Sequence, residues 1–109
     1  MMAYDLETAE RIRQAMKNVP DITEKKMFGG LTFLLKGKMT VGIVKNDLVV
    51  RVLESEMAET MAKPFARPMD FTKSPMKEFV YISPEGFQTE EALMHWINLG
   101  ILHAESKLK

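Results

Sequence analysis

The sequence contains no cysteine. Disulfides, thiolate nucleophiles and cysteine-ligated metals are therefore excluded, and the composition suits a reducing compartment. Histidine is nearly absent too. His95 and His103 are eight residues apart in one predicted helix, about two turns, too far to chelate one ion. No serine motif lies beside either, so both read as surface or helix-flank residues. No apolar run approaches the ~20 residues of a membrane-spanning helix. The start, Met1 to Asp5, lacks the basic and apolar segments of a signal peptide. The expectation is a cytoplasmic protein with no membrane partner. Excess charge is also missing: 15 basic and 15 acidic side chains balance, which argues against a surface built to grip nucleic acid nonspecifically.

What is present fits one ordinary globular domain over residues 1–109, with 46% hydrophobic and 28% charged residues. Leu6, Ala9, Ile12, Met16 and Val19 recur at helical spacing after a capping Asp5, and Pro20 ends the predicted helix. Next, Leu31, Phe33 and Leu35, then Met39, Val41 and Ile43, then Leu48, Val50 and Val52 alternate. Period two puts all of these on one face of a three-stranded antiparallel meander. Lys36-Gly37-Lys38 and Lys45-Asn46-Asp47 supply the turns. The opposite face is half apolar, which predicts either coverage by a terminal segment or a homodimer surface.

Ser55 is expected to cap a short helix over 56–62, with Met57 and Met61 on one side. Two strands follow, over 66–71 and 77–82, joined by the Thr72–Pro75 loop. Thr89 caps a last helix carrying Leu93, Trp96, Ile97 and Ile101, which Gly100 weakens. The predicted fold class is α+β: a two-layer sandwich of order α-β-β-β-α-β-β-α with an antiparallel sheet.

No constellation for catalysis, metal or cofactor is visible. The acidic residues at helix starts are explained by capping and the helix dipole. Gly29-Gly30 precedes a strand, not a helix, so it reads as a backbone device rather than a phosphate loop. Charge is unevenly placed: Lys25, Lys26, Lys36, Lys38, Lys45 and Arg51 accompany Asp47 alone over residues 25–52, and Lys63, Arg67, Lys73 and Lys77 accompany Asp70 alone over residues 63–77. The strands thus form a basic layer, able to steer an acidic partner or, weakly, a nucleic acid.

Lys26-Met27-Phe28-Gly29-Gly30, Lys36-Gly37-Lys38-Met39, Asn46-Asp47-Leu48 with Arg51, Arg67-Pro68-Met69, Tyr81-Ile82-Ser83-Pro84 and Glu91 to Trp96 together resemble the N-terminal domain of the TfoX/Sxy family. The similarity runs over roughly residues 5–103. It implies a fold like that of secretion chaperones and a non-enzymatic role. Full-length members regulate natural competence together with the cyclic-AMP receptor protein and carry a second domain; this chain ends where that domain would begin. Lysine stands at position 26 where the family often has arginine, which keeps the charge but loses the bidentate fork.

The expected function is therefore a regulatory or protein-interaction domain, with transcription machinery among its partners. A weak nucleic-acid accessory and a small enzyme are the alternatives. Lys25, Lys26, Arg51 and Arg67 are the candidate partner-binding residues, forming one basic edge. Met27, Phe28, Gly29 and Gly30 form the structural corner, with Met27 and Phe28 plugging the core.

Overall fold

The computed structural model describes residues 4–27, 29–68 and 78–108. Phe28, Met69 to Phe71, the Thr72–Pro75 loop, Met76, Lys77 and the termini lie outside them, so the expectations placed there are not taken further.

The chain forms α1 (Leu6–Ala15), β1 (Ile22–Met27), β2 (Gly30–Leu35), β3 (Lys38–Val44), β4 (Asp47–Arg51), α2 (Glu54–Met61), β5 (Ala66–Pro68), β6 (Phe79–Ile82), a 3-10 turn (Pro84–Gly86) and α3 (Glu90–Ser106). The six strands make one antiparallel sheet in the order β1-β2-β3-β4-β6-β5. The class is α+β, as expected, with one strand more than expected before α2. That strand, ITEKKM, has no alternating apolar pattern, because as an edge strand it is exposed from Thr23 to Lys26.

Local chemistry sets the element ends. Asp5 caps α1, its carboxylate accepting from the Thr8 N–H at 3.1 Å and the Thr8 hydroxyl at 2.6 Å. The helix stops at Ala15, four residues before the predicted site at Val19, and turns through Met16 to Pro20. Leu6, predicted to face the core, is 53% exposed, while Ala9, Ile12 and Met16 are buried. Thr89 caps α3 as predicted, accepting from the Ala92 N–H at 3.0 Å. Ser55 does not cap α2, which begins at Glu54 after an N-cap Leu53 with no side-chain bond. The β2–β3 loop has positive φ at both Lys36 and Gly37, the mark of a type I′ turn whose twist matches the strands.

Leu31, Phe33, Val41, Ile43, Leu48, Val50 and Val52 enter one core with Val80, Ile82, Leu93, Trp96 and Ile97. Of the nine predicted core strand residues, Leu35 is buried but lies in neither apolar cluster, and Met39 changes face. Phe33 pairs with Val41 but Leu34 pairs with Met39, so Thr40 is an extra residue in β3. Such a bulge shifts the side-chain alternation by one. Met39 consequently joins Val49 and Phe79 on the second face, against Leu34, Val44 and Tyr81. Phe79 and Tyr81 are thus not part of the main core. Val49 is fully buried and Met39 and Phe79 are 9% exposed within the single chain, so the centre of this face is out of water without a second copy.

The bulge meets a glycine. A Cβ at Gly100 would run into the Thr40 carbonyl oxygen, with the carbonyl carbon at 2.7 Å. Gly100 is therefore where α3 lies against the β3 backbone, rather than a weak point in the helix. At the other end of α3, Arg11 of α1 donates from Nε to Glu90 at 2.9 Å and from Nη2 to the Phe87 carbonyl at 2.8 Å.

Gly29 and Gly30 answer two separate needs. Gly29 has φ +75° with open space around it, and Gly30 has no room for a Cβ beside the Ile43 carbonyl and Val44. Met27 is half-buried and belongs to neither apolar cluster, so it does not plug the core. Gly30→Val and Gly100→Ala should each lower stability by about 1–3 kcal/mol through overpacking against backbone. Gly29→Ala should cost only about 1 kcal/mol, from its left-handed φ. Thermal melts of the three variants check the order; an unchanged melting temperature for Gly100→Ala would contradict the close contact.

Candidate functional site

The four basic residues expected to form one edge are dispersed. Lys25 and Lys26 lie on β1 and Arg67 on β5, the two opposite edges of the sheet. Five strand spacings separate them, about 24 Å at ~4.8 Å each. Lys25 and Lys26 also face opposite sides of the sheet, as strand neighbours must. Arg67 donates to Asp47 at 2.8 Å and lies over the Tyr81 ring at 5.2 Å. Arg51 is half-buried, its side chain 21% exposed.

Arg51, at the end of β4, stacks on Phe79, its guanidinium carbon 4.1 Å from the ring centroid. Its Nη2 lies 3.0 Å from His103 Nε2 and 3.5 Å from Glu78 Oε1. His103 Nε2 lies 3.0 Å from the same Glu78 oxygen. The imidazole is 2% exposed, so His103 is a buried residue and not the surface or flank residue its sequence context suggested.

Glu78 is the hub of this triangle. Its backbone has φ +63°, an uncommon conformation for a non-glycine residue. Its carbonyl accepts from the Val52 N–H at 2.9 Å. Its carboxylate is held below the usual range, first by the His103 hydrogen bond, against the opposing effect of burial, and further by the charge of His103 and Lys107 and the Glu54 N–H. Burial pushes Arg51 down from its ordinary value, and Glu78 partly offsets this. One carboxylate thus joins β4 and α3.

The signal for His103 was present. It lies in phase with Leu93, Trp96 and Gly100, all buried in α3. Nothing in spacing announced Glu78, which comes from a different element 25 residues away from His103.

Two concavities adjoin these elements. A cavity of about 310 Å³ is lined by Lys38, Met39, Arg51, His103 and Lys107. A groove of about 610 Å³ runs between the end of α1 and β1, with Met16, Val19, Ile22 and Phe33 as its apolar part and Arg13, Lys17 and Glu24 among its polar lining. Arg13 is bound by Glu24, through Nε at 2.7 Å and Nη2 at 2.9 Å, which closes α1 onto the edge strand. Among the described residues no cluster of three or more His, Asp or Glu could hold a metal, and no helix is long and apolar enough to cross a membrane.

Residues 14–104 match the family described as the TfoX N-terminal domain. The chain belongs to that family. The match covers the four strands of the meander, the Arg51–Glu78–His103 triangle and nearly all of α3. A comparison with curated proteins finds no match.

Replacing Glu78 by Gln keeps its size but removes the charge facing Arg51. The expected loss at neutral pH is about 1–3 kcal/mol, the cost of a poorly paired, partly buried charge. The pH sign follows from the lowered carboxylate. Its stabilisation is present above the unfolded value near 4.5 and disappears as pH falls through the lower folded value. Urea melts should therefore show wild type and Glu78→Gln converging as the pH is taken below about 4.5; a gap that persists undiminished at the acid end contradicts this assignment.

Proposed function

We propose that this TfoX N-terminal domain is a non-catalytic, cytoplasmic regulatory module that works by holding an acidic, extended segment of a protein partner along the β1 edge. The observation that carries this reading is the state of that edge. β1 is exposed over four consecutive residues, its outer backbone side faces no strand of the sheet, and Lys25 and Lys26 make no ion pair among the described residues. Beside it lies the groove floored by Met16, Val19, Ile22 and Phe33. An added strand would take main-chain hydrogen bonds from the edge, place side chains in the groove and meet two lysines. Edge lysines also discourage uncontrolled pairing, so the two charges would select for acidic segments as well as against like copies.

The ionic triangle supports the non-catalytic part. The His103 Nε2 lies 3.0 Å from both Arg51 and Glu78 and is taken by one of them in either protonation state, and the nearby Ser106 hydroxyl donates to the His103 carbonyl at 2.6 Å. These residues tie elements together. Family membership supports a link to transcription machinery, the partner class this family suggests.

The test is a quantitative pull-down from native lysate with a Lys25→Glu, Lys26→Glu double variant as control. Arg51 is left intact, because reversing it would place a second acid against Glu78 and confound binding with folding. Partners retained by wild type should be reduced roughly tenfold or more by the double variant, with an unchanged melting temperature. Equal capture by both proteins sinks the assignment of the edge. Light scattering on gel filtration distinguishes a second copy as the occupant, and a salt-dependent shift of labelled DNA would replace the protein partner by nucleic acid.

A further inference from the structure

We propose that the cavity between the start of β3, the end of β4 and the last turn of α3 is a binding site for a small oxyanion, a phosphate- or carboxylate-bearing molecule. This goes beyond the partner reading of the β1 edge and does not depend on it.

The lining is cationic. Lys38, Arg51 and Lys107 reach this one cavity of about 310 Å³ together with the His103 imidazole. Glu78, bound to Arg51 and His103, is the carboxylate that faces them, so among the described residues three permanent cations stand against one acid. Lys38 and Lys107 make no ion pair among the described residues. A cation in the last turn of a helix has an ordinary explanation in the helix dipole, and that covers Lys107 and His103. It does not cover Lys38 and Arg51, which arrive from two different strands. Their convergence is a property of the fold.

The hydrogen-bond count gives the second argument. His103 Nε2 is 3.0 Å from Arg51 Nη2 and 3.0 Å from Glu78 Oε1. Arginine can only donate and an ionised carboxylate can only accept. One ring nitrogen cannot accept from Arg51 and donate to Glu78 in the same state. With the proton on Nε2, the bond to Glu78 is made and the Arg51 N–H faces another donor. Without it, the Arg51 bond is made and two lone pairs face each other. Arg51 also keeps a buried Nε with no partner among the described residues. An acceptor from outside resolves the conflict: an oxyanion taking Arg51 leaves the Nε2–H of His103 to Glu78.

Pre-organisation is the third. The Phe79 ring holds the guanidinium at 4.1 Å from its centroid, so the donors are fixed before a ligand arrives. The cavity lies at the small end of ligand sites, which run from ~300 Å³ upward. A metabolite-sized anion fits this volume.

The test uses the two histidines as paired reporters. His103 lines the cavity, and His95 is exposed on α3 against Trp96, with ring centroids 4.7 Å apart. Their ring protons are followed by NMR while inorganic phosphate, succinate or sodium chloride is added at constant pH and ionic strength. The expected result is a saturable displacement of His103 with phosphate or succinate, in the millimolar range or tighter, and none for His95. Saturation by phosphate alone assigns a phosphate-bearing ligand, and by succinate alone a carboxylate. A Lys38→Gln, Lys107→Gln double variant, altered only at exposed side chains, should bind roughly tenfold more weakly. The Lys25→Glu, Lys26→Glu variant should bind as wild type does, which separates this site from the edge. A His103 response that is absent, unsaturable or equal in chloride overturns the proposal, as does unchanged affinity in the Lys38, Lys107 variant.

Discussion

The rest of this molecule depends on how closely α3 can approach β3. Gly100 has no Cβ, and the Thr40 backbone occupies the space one would need. Because Thr40 is a bulge residue, β3 bends there, and its hydroxyl donates to the Phe33 carbonyl at 2.8 Å, holding the irregularity in place. Helix and strand backbone therefore touch at one point. Leu93, Trp96 and Ile97 on the N-terminal side of that point fill the main core. On the C-terminal side, the helix passes the ends of β3 and β4 and delivers His103 to Arg51. A bulkier residue at 100 would lift the helix and take both the core contact and the triangle with it.

Within that frame Glu78 does the joining that a larger core would otherwise do. Its carboxylate is shared between a strand arginine and a helix histidine, and its main chain closes onto Val52. The left-handed φ at this residue costs of order 1 kcal/mol or more. The offset is several charge-assisted bonds from groups that would otherwise be desolvated and unpaired. This changes the meaning of Arg51. Read as a strand residue on the solvent side, it looked available to a partner. In the fold it is the inward charge that Glu78 and Phe79 hold.

Much of the architecture was legible in residue order because local signals act locally. Asp5 and Thr89 cap the helices they precede, the Lys36-Gly37 loop turns where its glycine allows, and the Phe33, Val41 and Val50 alternation points to one core. The failures share a cause: each needs information from elsewhere in space. Alternation cannot report that Thr40 is an extra residue, so Met39 was placed on the wrong face. β1 carries no apolar pattern, because only pairing with β2 makes it a strand. Ser55 lies inside α2, whose N-cap Leu53 makes no side-chain bond, so its capping chemistry goes unused. His103 fell in phase with the buried stripe of α3, yet its polarity argued for the surface until Arg51 and Glu78 supplied partners.

The basic side chains divide by chemistry in a way that bears on both proposed binding surfaces. All four arginines, Arg11, Arg13, Arg51 and Arg67, are in ion pairs with Glu90, Glu10 and Glu24, Glu78, and Asp47. Among the described residues no lysine is in one. The planar guanidinium loses less freedom per bond and is less strongly hydrated, so it suits fixed internal contacts, while ammonium groups stay hydrated on flexible stems. The resemblance that singled out position 26 as lysine in place of arginine fits the same division. The ion pairs that tie elements together use arginine, and the lysines unpaired among the described residues include Lys25 and Lys26 at the edge strand and Lys38 and Lys107 around the cavity. Of Lys25, Lys26, Arg51 and Arg67, the two lysines are unpaired among the described residues, while Arg51 and Arg67 lie in ion pairs with Glu78 and Asp47.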